Sequence, residues 1–98
     1  MGNFSILAEE RGRVIGFALL IPSGEIRLCY LVLEARYRGI GKAMLDALET
    51  EARRRGMTEL YLESTRTGRS FYACNGFITS GAADVKYGSE GFLMRKEL

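Results

Sequence analysis

The stretch RYRGIGKA, Arg36–Ala43, sets three cations and two glycines between an apolar run and a helix-like pattern. A helix start leaves its first backbone N–H groups unpaired, and a Ser, Thr, Asp or Asn side chain ordinarily caps them. No such residue lies between Glu34 and Ala43. Gly39 and Gly41 instead permit a left-handed conformation and a close backbone approach. The positive end of the helix dipole attracts an anion, and Arg36, Arg38 and Lys42 add mobile charge. The stretch therefore reads either as a pyrophosphate cradle at the C-terminal end of a strand or as a plain strand-to-helix turn with solvated arginines. Two nucleotide motifs are excluded. A Walker loop needs Ser or Thr after the lysine, where Ala43 stands, and the dinucleotide fingerprint needs a glycine where Met44 stands.

Outward from this stretch the pattern is that of one small α/β domain. Upstream, Phe4–Glu9, Val14–Ile21 and Glu25–Leu33 read as three strands. They are parted by turns at Glu10–Arg13 and Pro22-Ser23-Gly24. Connections this short make an antiparallel meander. In the third strand Ile26, Leu28 and Tyr30 are expected to face one way, Arg27 and Cys29 the other. Downstream, Ile40, Met44, Ala47 and Leu48 form a helical stripe, with Leu45 and Ala52 beside it. Lys42, Asp46, Glu49 and Arg53 mark the wet face, Glu49/Arg53 and Glu51/Arg55 are i,i+4 pairs, and Gly56 ends the helix. Met57–Ser64 is a fourth strand, and a strand–helix–strand crossover makes it parallel to the third. Thr65–Asn75 reads as a short helix capped by Thr65 or Thr67 and stopped at Asn75-Gly76. Phe77–Leu98 reads as two strands around Tyr87–Gly91.

The totals narrow the chemistry. The chain has 98 residues, 47% of them apolar, which suits a single core. A net charge of +2 is too small to argue for nucleic acid. Apolar runs are too short to span a membrane. The start MGNFSILAEERGR lacks the layout of a secretory leader and of a myristoylation signal. Cys29 and Cys74 make no metal or disulfide framework and read as reduced, buried filler in a cytoplasmic protein. Histidine is absent, which removes His general bases, Ser-His-Asp triads and His-ligated metals. Any catalysis would fall to Glu, Asp, Tyr, Cys, Ser, Lys or backbone groups.

Two segments in sequence carry a resemblance. Arg36-x-x-Gly39-x-Gly41 resembles the Q/R-x-x-G-x-G/A motif of the GCN5-related N-acetyltransferases, and Ser70–Phe77, SFYACNGF, resembles that family's FY-x-x-x-GF segment. The resemblance runs from Val14 to Phe77, and Leu93–Lys96 also fits. It implies the acyl-CoA N-acyltransferase fold, a mixed antiparallel and parallel sheet of about six strands with two helices, and acetyl-coenzyme A as cofactor without a metal. It implies pyrophosphate binding by Arg36, Tyr37, Arg38, Gly39, Ile40, Gly41 and Lys42, and pairing of the pantetheine arm with Leu31 and Leu33. The Leu31 N–H would point at the thioester oxygen, Tyr72 would protonate the departing thiolate, and Glu25 would be the general base. Thr65 stands near a position where the family often has Asn for the pantetheine arm, and Tyr37 where it often has Gly.

The implied reaction is direct attack of a primary amine, on a small molecule or peptide, in a ternary complex. The chemistry stands without the family: a tyrosine is protonated at neutral pH and can donate, and a carboxylate can take an ammonium proton through water. The family's usual domain begins with a strand and two helices ahead of the meander. This chain reads as a short form of it, one domain over residues 1–98, and uncovered apolar surface would favour a homodimer. Other readings stay open: a coenzyme A-binding or protein-interaction module without turnover, or a small nucleic-acid binder using Arg36, Arg38 and Arg53–Arg55. Those three arginines also serve simply as last-turn cations. Tyr30 and Tyr61 read as core or pocket wall, and Phe71-Tyr72 as an aromatic pair that packing alone could explain.

Overall fold

Gly24 is the point at which the two halves of the fold touch. In a computed structural model, which describes residues 2–86 and 89–98, the chain runs β1 (Phe4–Glu10), β2 (Arg13–Leu20), β3 (Ile26–Leu31), α1 (Ile40–Arg54), β4 (Glu59–Thr65), α2 (Arg69–Cys74), β5 (Ile78–Lys86) and β6 (Ser89–Glu97). The strands form two three-stranded sheets, ordered β1-β2-β3 and β4-β6-β5. All ladders within them are antiparallel. The parallel contact expected between β3 and β4 exists, but among the described residues it is a single bridge, Glu25 to Tyr61. There the Tyr61 N–H donates to the Gly24 carbonyl at 3.1 Å. Gly24 has φ +96°, and a Cβ on it would lie 2.7 Å from the Glu59 carbonyl oxygen. The hairpin tip read at Tyr87-Gly88 lies outside the described residues.

Helix α1 forms for the reasons its sequence suggests. Met44, Leu45, Leu48 and Ala52 are buried along one stripe. They pack with Ala18 and Leu20 of β2, Leu60 and Leu62 of β4 and Met94 of β6, so one helix closes the core over both sheets. Gly56 at φ +80° ends it. The Met57 N–H returns to the Ala52 carbonyl and the Gly56 N–H to the Arg53 carbonyl, which satisfies the last turn. Glu51 pairs with both Arg54 and Arg55, and these guanidiniums pull its carboxyl down to about 2. Glu49, expected on the wet face, is only partly exposed because Lys96 of β6 joins Arg53 against it at 2.8 Å. Among the described residues no helix is long and apolar enough to cross a membrane.

Strand β3 departs from its expected alternation. Phe17 pairs with Tyr30 and Leu19 with Arg27, so β3 carries one residue more than β2 between these points. This bulge reverses the phase of the strand. Ile26 is 5% exposed, Tyr30 is 55% exposed, and Cys29 and Leu31 turn onto the core instead. The strand also stops at Leu31, short of the expected Leu33. Val32 and Leu33 lead into a single 3-10 turn, Leu33–Ala35, that buries Ala35 and leaves Leu33 73% exposed.

Gly24→Ala is expected to destabilise the domain by about 2 kcal/mol, through left-handed strain and the clash with Glu59. A urea titration would check this; an unchanged midpoint would contradict the contact. Glu51→Gln is expected to flatten the acid limb of the stability curve. The folded carboxyl is depressed, so its contribution is present above the unfolded value near 4.5 and fades as pH falls toward about 2.

Candidate active site

Beyond the Glu25–Tyr61 bridge, β3 and β4 part, and a groove of about 1020 Å³ opens between them. Its first wall is the free edge of β3. The Val32 N–H donates to the Ile15 carbonyl at 2.8 Å, so Val32 faces β2 with its hydrogen-bonding groups. Its neighbour Leu31 sits opposite Gly16 and must point its N–H the other way, into the groove. The bulge turns the Cys29 side chain into the same wall.

The floor at one end is the start of α1. Gly39, at φ +78° and ψ 0°, is the N-cap, and no side chain caps the helix. The first helical hydrogen bond is Ala43 N–H to the Gly39 carbonyl, at 3.1 Å, which leaves the N–H groups of Ile40, Gly41 and Lys42 ahead of it. No acidic residue lies in that first turn. Tyr37 is also left-handed, at φ +63°, and successive N–H groups in such a loop make an anion-binding concavity. The two glycines serve different ends. A Cβ on Gly39 would meet open space, so its conformation is what requires glycine; a Cβ on Gly41 would lie 2.9 Å from the Phe71 ring. Arg36 and Lys42 border this end, Lys42 paired with Asp46 at 2.9 Å.

Helix α2 supplies the far wall. Thr65, at the end of β4, accepts the Gly68 N–H at 3.1 Å and so sets up the turn into α2. The Tyr72 ring is wedged edge-on between Phe71 and Phe77, with centroids 5.3 and 5.8 Å away. Tyr72 and Cys29 of β3 both line the groove and pack against the core. Burial pushes the Tyr72 phenol far above its ordinary value, with the neighbouring Cys29 adding to the shift; burial also raises Cys29. At the opposite end from Gly39, Glu25 and Glu63 line the groove, and Glu25 is held by Arg27 at 2.9 Å.

The family model described as an acetyltransferase (GNAT) domain matches residues 1–98. The chain belongs to the GNAT acetyltransferase family. A curated relative, an amino-acid acetyltransferase of Pseudomonas putida, is 34% identical in an 84-residue alignment that covers 81% of this chain and 19% of that protein. The chain thus spans about a fifth of the length of that relative. A GCN5-related N-acetyltransferase structure from Rhodopseudomonas palustris superposes with a TM-score of 0.90 at 26% identity, covering 98% of this chain and 62% of that one. The PaiA N-acetyltransferase of Thermoplasma acidophilum, solved with coenzyme A, gives 0.79 at 29% identity, covering 100% and 62%. The six strands, two helices and parted β3 and β4 are thus the acyl-CoA N-acyltransferase fold.

In this GNAT domain the expected site residues do not all fall in one place. Tyr72, Glu25, Leu31, Arg36, Tyr37, Gly39, Gly41, Lys42 and Thr65 line the groove. Leu33 stands exposed in the 3-10 turn, outside the strand. Arg38 reaches back to Glu10 of β1, whose carboxyl the guanidinium holds below its usual range. Ile40 packs on the core, so only its backbone N–H is offered to the loop. Cys74, expected as buried filler, is exposed. Cys29 and Phe71 line the groove although sequence reasoning gave neither a role there. The bulge that turns Cys29 has no signature in EIRLCYLVL, and the contact of Phe71 with Gly41 spans thirty residues.

Because the folded protein holds the Tyr72 proton more tightly than the unfolded chain, this group's share of stability is intact below about pH 10 and falls as pH rises beyond it. An ultraviolet phenolate titration is expected to be the same for the natural protein and Tyr72→Phe until alkaline unfolding begins. A missing phenolate component in the folded Tyr72→Phe protein would contradict the buried, protonated phenol.

Proposed function

We propose that residues 1–98 act as one N-acetyltransferase domain that moves an acetyl group from acetyl-coenzyme A to a primary amine, with both substrates bound at once. The observation that carries this reading is the uncapped start of α1 at one end of a groove whose other walls are a free strand edge and a buried phenol. The residues fit the cofactor. The N–H groups of Ile40, Gly41 and Lys42 suit a pyrophosphate, with Arg36 and Lys42 adding charge. The free edge of β3 and Thr65 suit an amide-bearing arm that pairs as an extra strand would. Acetyl-coenzyme A supplies the acetyl thioester.

The chain's own groups then have distinct tasks. The Leu31 N–H, fixed by the β2 ladder, is a donor for negative charge developing on the acyl oxygen. Tyr72 holds a proton at its hydroxyl for the leaving sulfur. Glu25, at the end of the groove away from the phosphate cradle, receives the ammonium proton of the acceptor, directly or through water. Arg27 beside Glu25 gives that end both charge signs, which suits an acceptor carrying an amine and a carboxylate, as in an amino acid or peptide. The name of the Pseudomonas putida relative points the same way. We further propose that the domain works in the cytoplasm as a homodimer, without a nucleic-acid or membrane partner. Leu7 of β1 and Tyr30 of β3, both exposed and both in register with Phe17 of the intervening β2, are apolar surface that self-association would cover. Sedimentation showing only monomer at tens of micromolar would contradict the dimer.

Isothermal titration with acetyl-coenzyme A is expected to show saturable binding below about 1 mM, and no heat at that concentration would overturn the reading. Gly41→Ala, which pushes Phe71 into the cradle, is expected to weaken affinity about tenfold, near 1.4 kcal/mol. Adding Phe71→Ala should restore it. In a screen of L-amino acids, peptides and polyamines for free thiol release, Tyr72→Phe is expected to lower kcat by about 100-fold or more with cofactor affinity unchanged.

A further inference from the structure

Tyr37 stands in the cradle loop for no reason that the fold supplies. It has φ +63°, a left-handed backbone that a Cβ disfavours, most of all on a bulky residue. The other described residue besides glycine with a positive φ is Arg11. Arg11 shares with Gly12 the two-residue turn between β1 and β2, and such a turn requires that conformation. Tyr37 closes no hairpin; it lies between the 3-10 turn and Gly39. Nor does its ring pack. Tyr37 is fully exposed, and among the described residues no hydrogen bond or ring contact holds its side chain.

The loop is nevertheless gripped on both sides of Tyr37. Arg38 makes a forked pair with both carboxylate oxygens of Glu10, its Nη1 3.3 Å from Oε1. On the other side, Glu34 pairs with Arg13. Glu10 and Arg13 flank the same β1–β2 turn, so one hairpin tip holds the loop at two points. A forked pair fixes direction as well as distance. Glycine would meet the backbone demand here without strain. A tyrosine instead gives up stability to place a ring in water, and strain kept at a site points to function.

That ring borders the groove at its cradle end, with Arg36 and Gly39. Tyr37 precedes Gly39 by two residues, so its Cα lies within about 7 Å of the Gly39 Cα. On the reading above, the pantetheine arm leaves the cradle along β3. The adenosine is attached to the other side of the pyrophosphate and leaves past this loop. An exposed aromatic face beside a phosphate site suits a base, which has a π-face of its own. We propose that Tyr37 is the platform on which the adenine of coenzyme A stacks. This rests on the N-acetyltransferase reading of the same groove.

Binding measurements test the platform without turnover. The chain has no tryptophan, so its emission is that of tyrosine. Titration with 3′-phosphoadenosine diphosphate is expected to quench part of this emission. Tyr37→Phe is expected to remove that part of the quench while keeping affinity for coenzyme A within about twofold. Tyr37→Leu, which keeps bulk and backbone strain but has no π-face, is expected to weaken coenzyme A about tenfold. Tyr37→Gly is expected to weaken it as much while raising the urea midpoint, because the left-handed strain is gone. A ring that merely served the fold would lower that midpoint. Equal affinity of the natural protein and Tyr37→Leu for coenzyme A would overturn the platform and leave the parent reading standing. So would an absent quench, a quench unchanged by Tyr37→Phe, or a lower urea midpoint in Tyr37→Gly. No binding of coenzyme A by the natural protein would overturn both.

Discussion

Everything at the site depends on how little of β3 touches β4. The two sheets share one bridge, Glu25 to Tyr61, made possible by the left-handed Gly24 lying against the Glu59 carbonyl. Had the strands paired along their length, the Leu31 N–H would have been spent on β4 and no groove would exist. The bulge in β3 adds local twist, and the single helix α1 holds both sheets from one side while their strands diverge on the way to its N-terminus. Parted strands, a free strand edge and an uncapped helix start are therefore consequences of one geometric constraint.

That constraint also explains how a chain without histidine could run acyl transfer. The groove offers donors that belong to the backbone: the Leu31 N–H and the first amides of α1, whose directions are set by secondary structure. Backbone donors need no reorganisation when charge develops. In the proposed reaction the proton source is a phenol, neutral at neutral pH without tuning, and burial pushes it further up. Side-chain charge is used sparingly. Arg38, which sits within the cradle sequence, is drawn to Glu10 and braces the loop against β1.

Much of this was legible in the sequence, and what was not has identifiable causes. The Met44–Leu48 stripe, the Glu51/Arg55 pair and the Gly56 stop place α1 within its actual bounds, because helix signals are local. The cradle and Tyr72 were legible as motifs because the uncapped start and the aromatic pair lie within a few residues. The phase of β3 was not. Its bulge shows only in the register with β2, and the run EIRLCYLVL reads as an uninterrupted strand to Leu33. The same holds for Arg38 with Glu10 and for Gly41 with Phe71, where the deciding partner is distant in the chain.

The central claim is that the anion cradle at α1 and the free edge of β3 receive one ligand together. Amide-resolved NMR during titration with coenzyme A tests it directly. The account predicts that the largest shifts fall on the amides of Ile40, Gly41 and Lys42 and on Leu31, and that 3′-phosphoadenosine diphosphate alone moves the first three but not Leu31. Shifts confined to other surfaces, or a Leu31 amide unmoved by coenzyme A while the cradle responds, would contradict it.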